Sequence, residues 1–377
     1  MGLDLGGVVT TGGVSFPHRR DIRAVLLVWF GSRLILIGVA LLAHYWWFTR
    51  GLSFASTYEM WDHFESLWYA NIAESGYVGD GEFRYNTAYF PGTALVMRVG
   101  LFFGLPPALT GMLVSAAAGA MAAVALGRLT YRLGGSPTWA VVAWVAAPTV
   151  VFVTAPWSEA LFAAFAFWSW HLARSGHWWW AGVLAAGAAL TRINGAFLVI
   201  GLLAIWLFSR DRRLHNALPL FLPIAVLAAH MSYLWRITGR WNEWRAVQSE
   251  FWSRELVDPV TALVNTWNQI FDFVPGEIST RFIAEIAAVL LVTVGIIALA
   301  RLRQWPELIY VAITLASLAT STYYYSVPRT ITILFPLWMV AGLLLSRSVV
   351  ARWIYLISVI PLTLFVTVLF TDGQWIS

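Results

Sequence analysis

The sequence contains no cysteine and no lysine, and charged side chains make up only 11% of its 377 residues. The missing cysteine excludes disulfides, thiolate metal ligands and a cysteine nucleophile. The shortage of charge excludes a soluble chain of this length, because globular proteins are about 25% charged and so few polar side chains could not coat a water-facing surface. All 24 cationic side chains are arginines. They are scattered between apolar runs and form no basic patch of the kind nucleic acid requires. A glycine-rich phosphate loop, a Gly-x-Ser-x-Gly elbow and a His-Glu-x-x-His zinc motif are also missing. The chain is instead 59% hydrophobic, with a mean hydropathy of +0.71. Its apolar runs are far longer than barrel strands, which predicts an all-α, polytopic membrane protein.

A span needs about 20 apolar residues at roughly 1.5 Å each to cross some 30 Å of hydrocarbon. Eleven runs are predicted to cross: 24–43, 107–127, 138–153, 160–173, 178–190, 195–208, 217–237, 282–300, 308–322, 330–345 and 353–370. The stretch 138–173 reaches about 54 Å as one helix, and Pro148 and Pro156 divide it. The stretch 178–208 reaches about 46 Å and is broken by Thr191-Arg192-Ile193-Asn194-Gly195. The run 89–104 is short and carries Arg98. A charge at mid-span costs about 2.5–3.5 kcal/mol, so an interfacial or partly inserted helix is predicted there. The first run lacks a small-residue cleavage site behind it, which predicts a retained helix and not a signal peptide. A single domain, 1–377, follows: a core to 237 with a first outer loop at 44–88, a second outer loop at 238–281, and C-terminal helices from 282.

Sidedness comes from arginine. With the N-terminus cytoplasmic, short inner segments hold thirteen of the 24 arginines: Arg19, Arg20, Arg23, Arg128, Arg132, Arg174, Arg210, Arg212, Arg213, Arg301, Arg303, Arg347 and Arg352. The unusual polar groups then fall together on the outer face. They are Trp61-Asp62-His63-Phe64-Glu65, Tyr89-Phe90-Pro91, Pro156-Trp157-Ser158-Glu159, Thr191 to Gly195, 241–258, and 323–329. This predicts one composite extracytoplasmic site in a plasma-membrane protein. Carboxylates there suit general-base chemistry, arginines suit phosphate, and Trp and Tyr suit sugar faces.

Plainer roles compete at each position. Asp62 and Glu65, three apart, fit one face of a surface helix as well as a catalytic pair, and Asp62 also fits a helix cap. Glu159 could cap the helix after Pro156, and Arg329 could anchor the membrane edge. Arg192, in an apolar joint, is expensive unless satisfied. Arg33, inside the first span, either pairs with an acid or snorkels. His44, His171 and His230 have no metal-ligand spacing, and Trp178-Trp179-Trp180 reads as a cytoplasmic aromatic belt.

At these residues the chain resembles the GT-C membrane glycosyltransferases, specifically bacterial relatives of the PIG-V-type GPI mannosyltransferase. The matching blocks are Trp61-Asp62 through Trp68-Tyr69, Ile72-Ala73, Gly76-Tyr77, Tyr89-Phe90-Pro91, and Pro156-Trp157-Ser158-Glu159-Ala160-Leu161-Phe162. Leu190 to Gly195, Thr238-Gly239-Arg240-Trp241, Gln248, and Arg329 with Phe335-Pro336 follow in the family's order. The pattern departs at Gly92, after Phe90-Pro91, and at Thr330, where an aromatic is more familiar. The resemblance implies a GT-C-like fold and inverting transfer of a sugar, mannose first, from a polyprenyl-phosphate donor to a lipid, glycolipid or protein hydroxyl. It implies Asp62 as general base with Glu65 as the second carboxylate, and Arg192 or Arg329 on the leaving phosphate. Glu159, Asn194, Gln248, Trp61 and Tyr89 are implied around the substrates, with no metal or other cofactor. The rival reading is a transporter or flippase of a lipid-linked or sugar solute. It predicts symmetric repeats and polar residues reaching both faces, and the sequence has neither.

Overall fold

The computed structural model describes residues 19–47, 51, 53–77, 81–272 and 277–376. The polar segment before Arg19 therefore lies outside the described residues. Among them the secondary structure is helical, apart from one antiparallel bridge between Leu256 and Ser321.

Each of the eleven predicted runs carries a helix, but five helices are long and apolar enough to cross a bilayer: Arg19–Trp47, Pro107–Arg132, Leu214–Thr238, Thr280–Arg301 and Val349–Thr371. The other runs hold Pro137–Ala146, Glu159–Arg174, Trp178–Thr191, Asn194–Phe208, Trp305–Ala319 and Phe335–Arg347. At about 1.5 Å per residue these reach roughly 15–24 Å, less than the hydrocarbon thickness. Breaks shorten two of them. Pro148 diverts the chain into the tight helix Pro148–Val153, and Val327–Ile331 precedes Phe335–Arg347 as a separate turn. The run at 89–104 forms Pro91–Phe102, twelve residues.

The alanine-rich helix Pro107–Arg132 sits inside the bundle, packed by Arg19–Leu42, Pro137–Ala146 and Glu159–Arg174. Its small side chains let large rings approach. A Cβ on Gly119 would lie 2.1 Å from the Trp29 ring, which stacks 5.3 Å from Trp144. The outward faces are apolar: Leu27 and Leu34 are over 70% exposed, as lipid-facing positions and not water-facing ones should be.

The two ends of the bundle differ. Glu159 and Arg174 bound one helix, so they sit about 22 Å apart along it. At the Arg174 end the arginine-bearing turns meet: Arg174 pairs with Glu307 at 2.5 Å, and Arg132 donates to Ser175 Oγ at 2.6 Å. The Glu159 end receives the segments described next.

Candidate functional site

The loop leading into the helix Glu65–Ser75 is fixed by aromatic packing. Phe64, with a positive φ of 58°, wedges edge-on against Trp375 at 4.6 Å and against Trp157 and Phe370. Trp157 Nε1 donates to His63 O at 3.1 Å, tying this turn to the Pro156-Trp157-Ser158-Glu159 segment. The helix Glu65–Ser75 starts on the next residue, which aims Glu65 inward.

Inside, four charges lock together. Glu159, fully buried, accepts from Arg192 Nη1 at 2.6 Å and from Arg329 Nε. Arg192 Nη1 also donates to Ser158 Oγ at 2.8 Å. Arg329 closes its fork on Glu65, donating through Nη1 to one oxygen and through Nη2 to the other at 2.6 Å. Its guanidinium also lies 4.3 Å from the Trp157 ring centroid. Burial pushes the Glu65 carboxyl up, but the Arg329 charge and hydrogen bonds, with Arg192 and Arg254 beyond, hold it below the usual carboxylate range. Burial likewise opposes the Arg329 charge, and Glu159 and Glu65 outweigh it and raise its proton affinity well above normal.

Three of these four, Glu65, Arg192 and Arg329, line a cavity of about 420 Å³. Of the residues singled out in the sequence, Glu65, Tyr89, Arg192, Asn194, Gln248 and Arg329 line it. Glu159 stands behind the two arginines and touches no cavity space. Trp61 lies away from the cavity: it is fully buried in the main apolar core, near Phe370. Asp62 is not a lining residue either. It precedes Glu65 by three positions, so their Cα atoms lie within about 11 Å of each other. It is half-buried, with an Oδ1 that has no hydrogen-bond partner. Burial raises the Asp62 carboxyl, against the Ser66 hydroxyl and the His63 charge, which lower it.

Further lining comes from the segment that carries the helix Glu243–Trp252. Arg84 clamps the helix Glu243–Trp252 through Glu243 at 2.8 Å and Glu250 at 2.5 Å, and Trp244 Nε1 donates to Ala88 O at 3.1 Å. This presents Gln248 to the cavity, with Trp68 stacked on Tyr85 at 5.0 Å and on Tyr89 at 6.4 Å near by. Sequence reasoning missed Arg254 and Tyr325, which also line the cavity. It also missed Glu285, whose two carboxylate oxygens accept from the Ser326 and Val327 amides and so set the turn carrying Arg329. The outer loops were flagged as polar segments, but one arginine among several in such a loop has no distinguishing spacing.

Among the described residues, no three His, Asp or Glu side chains gather in a way that could hold a metal ion. Arg33 has neither of its expected fates. It is buried, donates to Thr154 Oγ1 at 2.6 Å, and lies 4.1 Å from the Trp29 ring centroid.

No protein-family model matches the chain, and no curated protein matches it. The resemblance drawn from the sequence rests on the short blocks and their order.

Proposed function

We propose that this protein is a membrane glycosyltransferase of inverting type that uses a polyprenyl-phosphate-linked sugar, mannose first, and glycosylates a lipid, glycolipid or protein hydroxyl at the extracytoplasmic face of the plasma membrane. The observation that carries this reading is convergence. Glu65, Tyr89, Arg192 with Asn194, Gln248 and Arg329 come from five places along the chain and meet in one cavity, with carboxylates, guanidiniums and aromatic rings side by side. A transfer site needs these three chemistries together: a base for the acceptor proton, cations for a phosphate leaving group, and flat faces for a sugar.

In this mechanism the acceptor oxygen attacks the anomeric carbon from the face opposite the phosphate. The bond from that carbon to the phosphate oxygen breaks as the new glycosidic bond forms. The acceptor proton passes to a carboxylate, and polyprenyl phosphate leaves with the electron pair. Asp62 takes the base role. Glu65 is engaged by Arg329 through both oxygens, which leaves it to hold the arginine, whereas Asp62 keeps a buried oxygen without a partner, which the acceptor reaches only if the Asp62 turn opens towards the cavity.

The test is transfer of labelled mannose from polyprenyl-phosphate-mannose to a lipid extract by purified protein, beside an Asp62→Asn variant. Transfer abolished by the substitution supports the reading. Full transfer by Asp62→Asn removes Asp62 from the base role, and solute uptake into proteoliposomes without any transfer replaces the enzyme by a transporter.

A further inference from the structure

The two arginines that the resemblance offers for phosphate are already engaged. Arg192 pairs with Glu159, and Arg329 pairs with Glu65 and Glu159. The quartet is thus two cations against two anions, with no net charge to draw an anion in.

Arg254 differs. It lines the same cavity, and among the described residues no carboxylate forms an ion pair with it. Its one side-chain hydrogen bond among the described residues is to Gln248 Oε1, at 3.4 Å; its buried Nε has no partner, as is true of Arg192 Nε, so the missing carboxylate is what sets Arg254 apart. Its guanidinium lies 4.8 Å from the centroid of Tyr325. A second guanidinium, Arg281, lies 4.5 Å from the same ring, and its buried Nε and Nη2 also lack acceptors. Glu285 acts on Arg254 and Arg281 from the next turn, but its two oxygens are taken by backbone amides. In and around the cavity, five guanidiniums (Arg192, Arg245, Arg254, Arg281, Arg329) stand with four carboxylates (Glu65, Glu159, Glu255, Glu285). One positive charge is left over, at donors with free hydrogens.

The backbone there is held by hydrogen bonds. Ser253 turns the chain through a left-handed residue, φ 51°. The Arg254 amide then donates to Gln248 O at 3.2 Å, and Val257 N to Thr320 O at 2.9 Å. Glu255 N donates to Thr322 Oγ1 at 3.0 Å. A cation held this way needs no reordering to receive a ligand.

We infer that Arg254, supported by Arg281 across Tyr325, is the anion receptor of the cavity, and that its ligand is a phosphate ester. The inference rests on the transfer reading only in naming a lipid-linked phosphate as the physiological form. Burial works against the Arg254 charge, and an anion beside it would relieve that penalty. In this arrangement the Glu65–Glu159–Arg192–Arg329 quartet shapes the wall and Arg254 binds the phosphate oxygens.

The experiment measures binding to the purified full chain in detergent through its tryptophan fluorescence, with Trp244 and Trp252 near the cavity. The probes are a polyprenyl monophosphate, the uncharged polyprenol of the same length, and inorganic phosphate. The wild type is expected to prefer the phosphorylated lipid over the alcohol at least tenfold. Arg254→Gln is expected to erase that preference, and Arg254→Lys, which keeps the charge without the fork, to restore part of it at an unchanged thermal midpoint. Arg281→Gln is expected to weaken binding by a smaller factor. Competition by millimolar inorganic phosphate shows that the subsite takes free phosphate. Binding of the lipid without such competition shows that it takes the headgroup in its lipid context, and both outcomes support the assignment. Wild-type preference retained by Arg254→Lys and Arg281→Gln together, or by a folded Arg254→Gln, overturns it. Because no sugar is transferred in this assay, a protein that binds through Arg254 but transfers nothing would sink the transfer reading and leave this one standing.

Discussion

Glu65 grips Arg329 through both of its carboxylate oxygens, across 264 residues of sequence. Arg329 is 3% exposed on its side chain and Glu65 16%, so removing one partner leaves a buried charge with half its support. Breaking a buried pair in this way costs about 3–5 kcal/mol. Glu65→Ala is expected to lower stability by about 3 kcal/mol, towards the low end because Glu159 still holds Arg329 Nε. The double change Glu65→Gln with Arg329→Gln is expected to lose less than the sum of the single changes. The acid limb has a defined sign. The Glu65 carboxyl is depressed in the folded protein, so its stabilisation is complete above its unfolded value of about 4.3. That stabilisation disappears as pH falls through the lower folded value. Thermal midpoints in detergent should therefore fall more steeply with acidification in the wild type than in Glu65→Gln.

Asp62 should behave in the opposite way. Burial raises its carboxyl, so stability is greatest below its unfolded value of about 3.9 and falls as pH rises through the raised folded one. At neutral pH the ionised group is a liability to the fold. Asp62→Asn is expected to hold or raise the thermal midpoint at pH 7 while reducing transfer by about 10²–10⁴-fold, the usual worth of a general base. A lower midpoint together with lost transfer would point to a structural role.

The gathering of the polar segments at one end of the bundle was legible because charge cannot be left in hydrocarbon. The same reasoning singled out Arg192 and Arg329, which do come together through Glu159. Patterning could not separate Asp62 from Glu65, because residues three apart share a helix face only if both are in the helix. The helix starts at Glu65, leaving Asp62 in the preceding turn. Helix lengths were also hidden. The apolar run 138–153 looks like one pass, but Pro148 converts its last six residues into a tight helix. Trp61 was ambiguous in the sequence because a tryptophan beside a catalytic-looking aspartate is equally a core residue, and here it is fully buried.

Gly195 shows why the Thr-Arg-Ile-Asn-Gly joint takes the residues it does. The helix Asn194–Phe208 begins against the end of Trp178–Thr191, so closely that a Cβ on Gly195 would sit 2.5 Å from Ala189 Cα and 2.7 Å from Ala189 N. Those are backbone atoms and cannot swing aside. Gly195→Ala is expected to destabilise by about 1–3 kcal/mol, the usual range for overpacking. It should also weaken substrate binding more than a matched change at Gly31, where an added Cβ meets nothing within 4 Å. Paired thermal melts and binding curves for the two variants measure this.

Arg33 offers the converse case, a buried charge that the fold does not need. Its contacts are the Thr154 hydroxyl at 2.6 Å, the Ser32 hydroxyl at 3.3 Å and the Trp29 ring, and its Nε has no partner. Removing it strands nothing. Thr154 Oγ1 still donates to Val150 O at 2.8 Å, and Trp29 Nε1 still donates to Ala116 O at 3.0 Å. Replacing a buried charge by an apolar side chain of similar volume is often neutral or stabilising by about 1–4 kcal/mol. Arg33→Met is therefore expected to keep or raise the thermal midpoint. Arg33→Glu, which reverses the charge beside the negative face of Trp29, should lower stability by about 3 kcal/mol or more. A loss of more than about 2 kcal/mol on Arg33→Met, measured by unfolding in detergent and again in lipid nanodiscs, would be too large for the contacts described. If the loss occurs in nanodiscs alone, it would identify a lipid headgroup as the missing counter-charge.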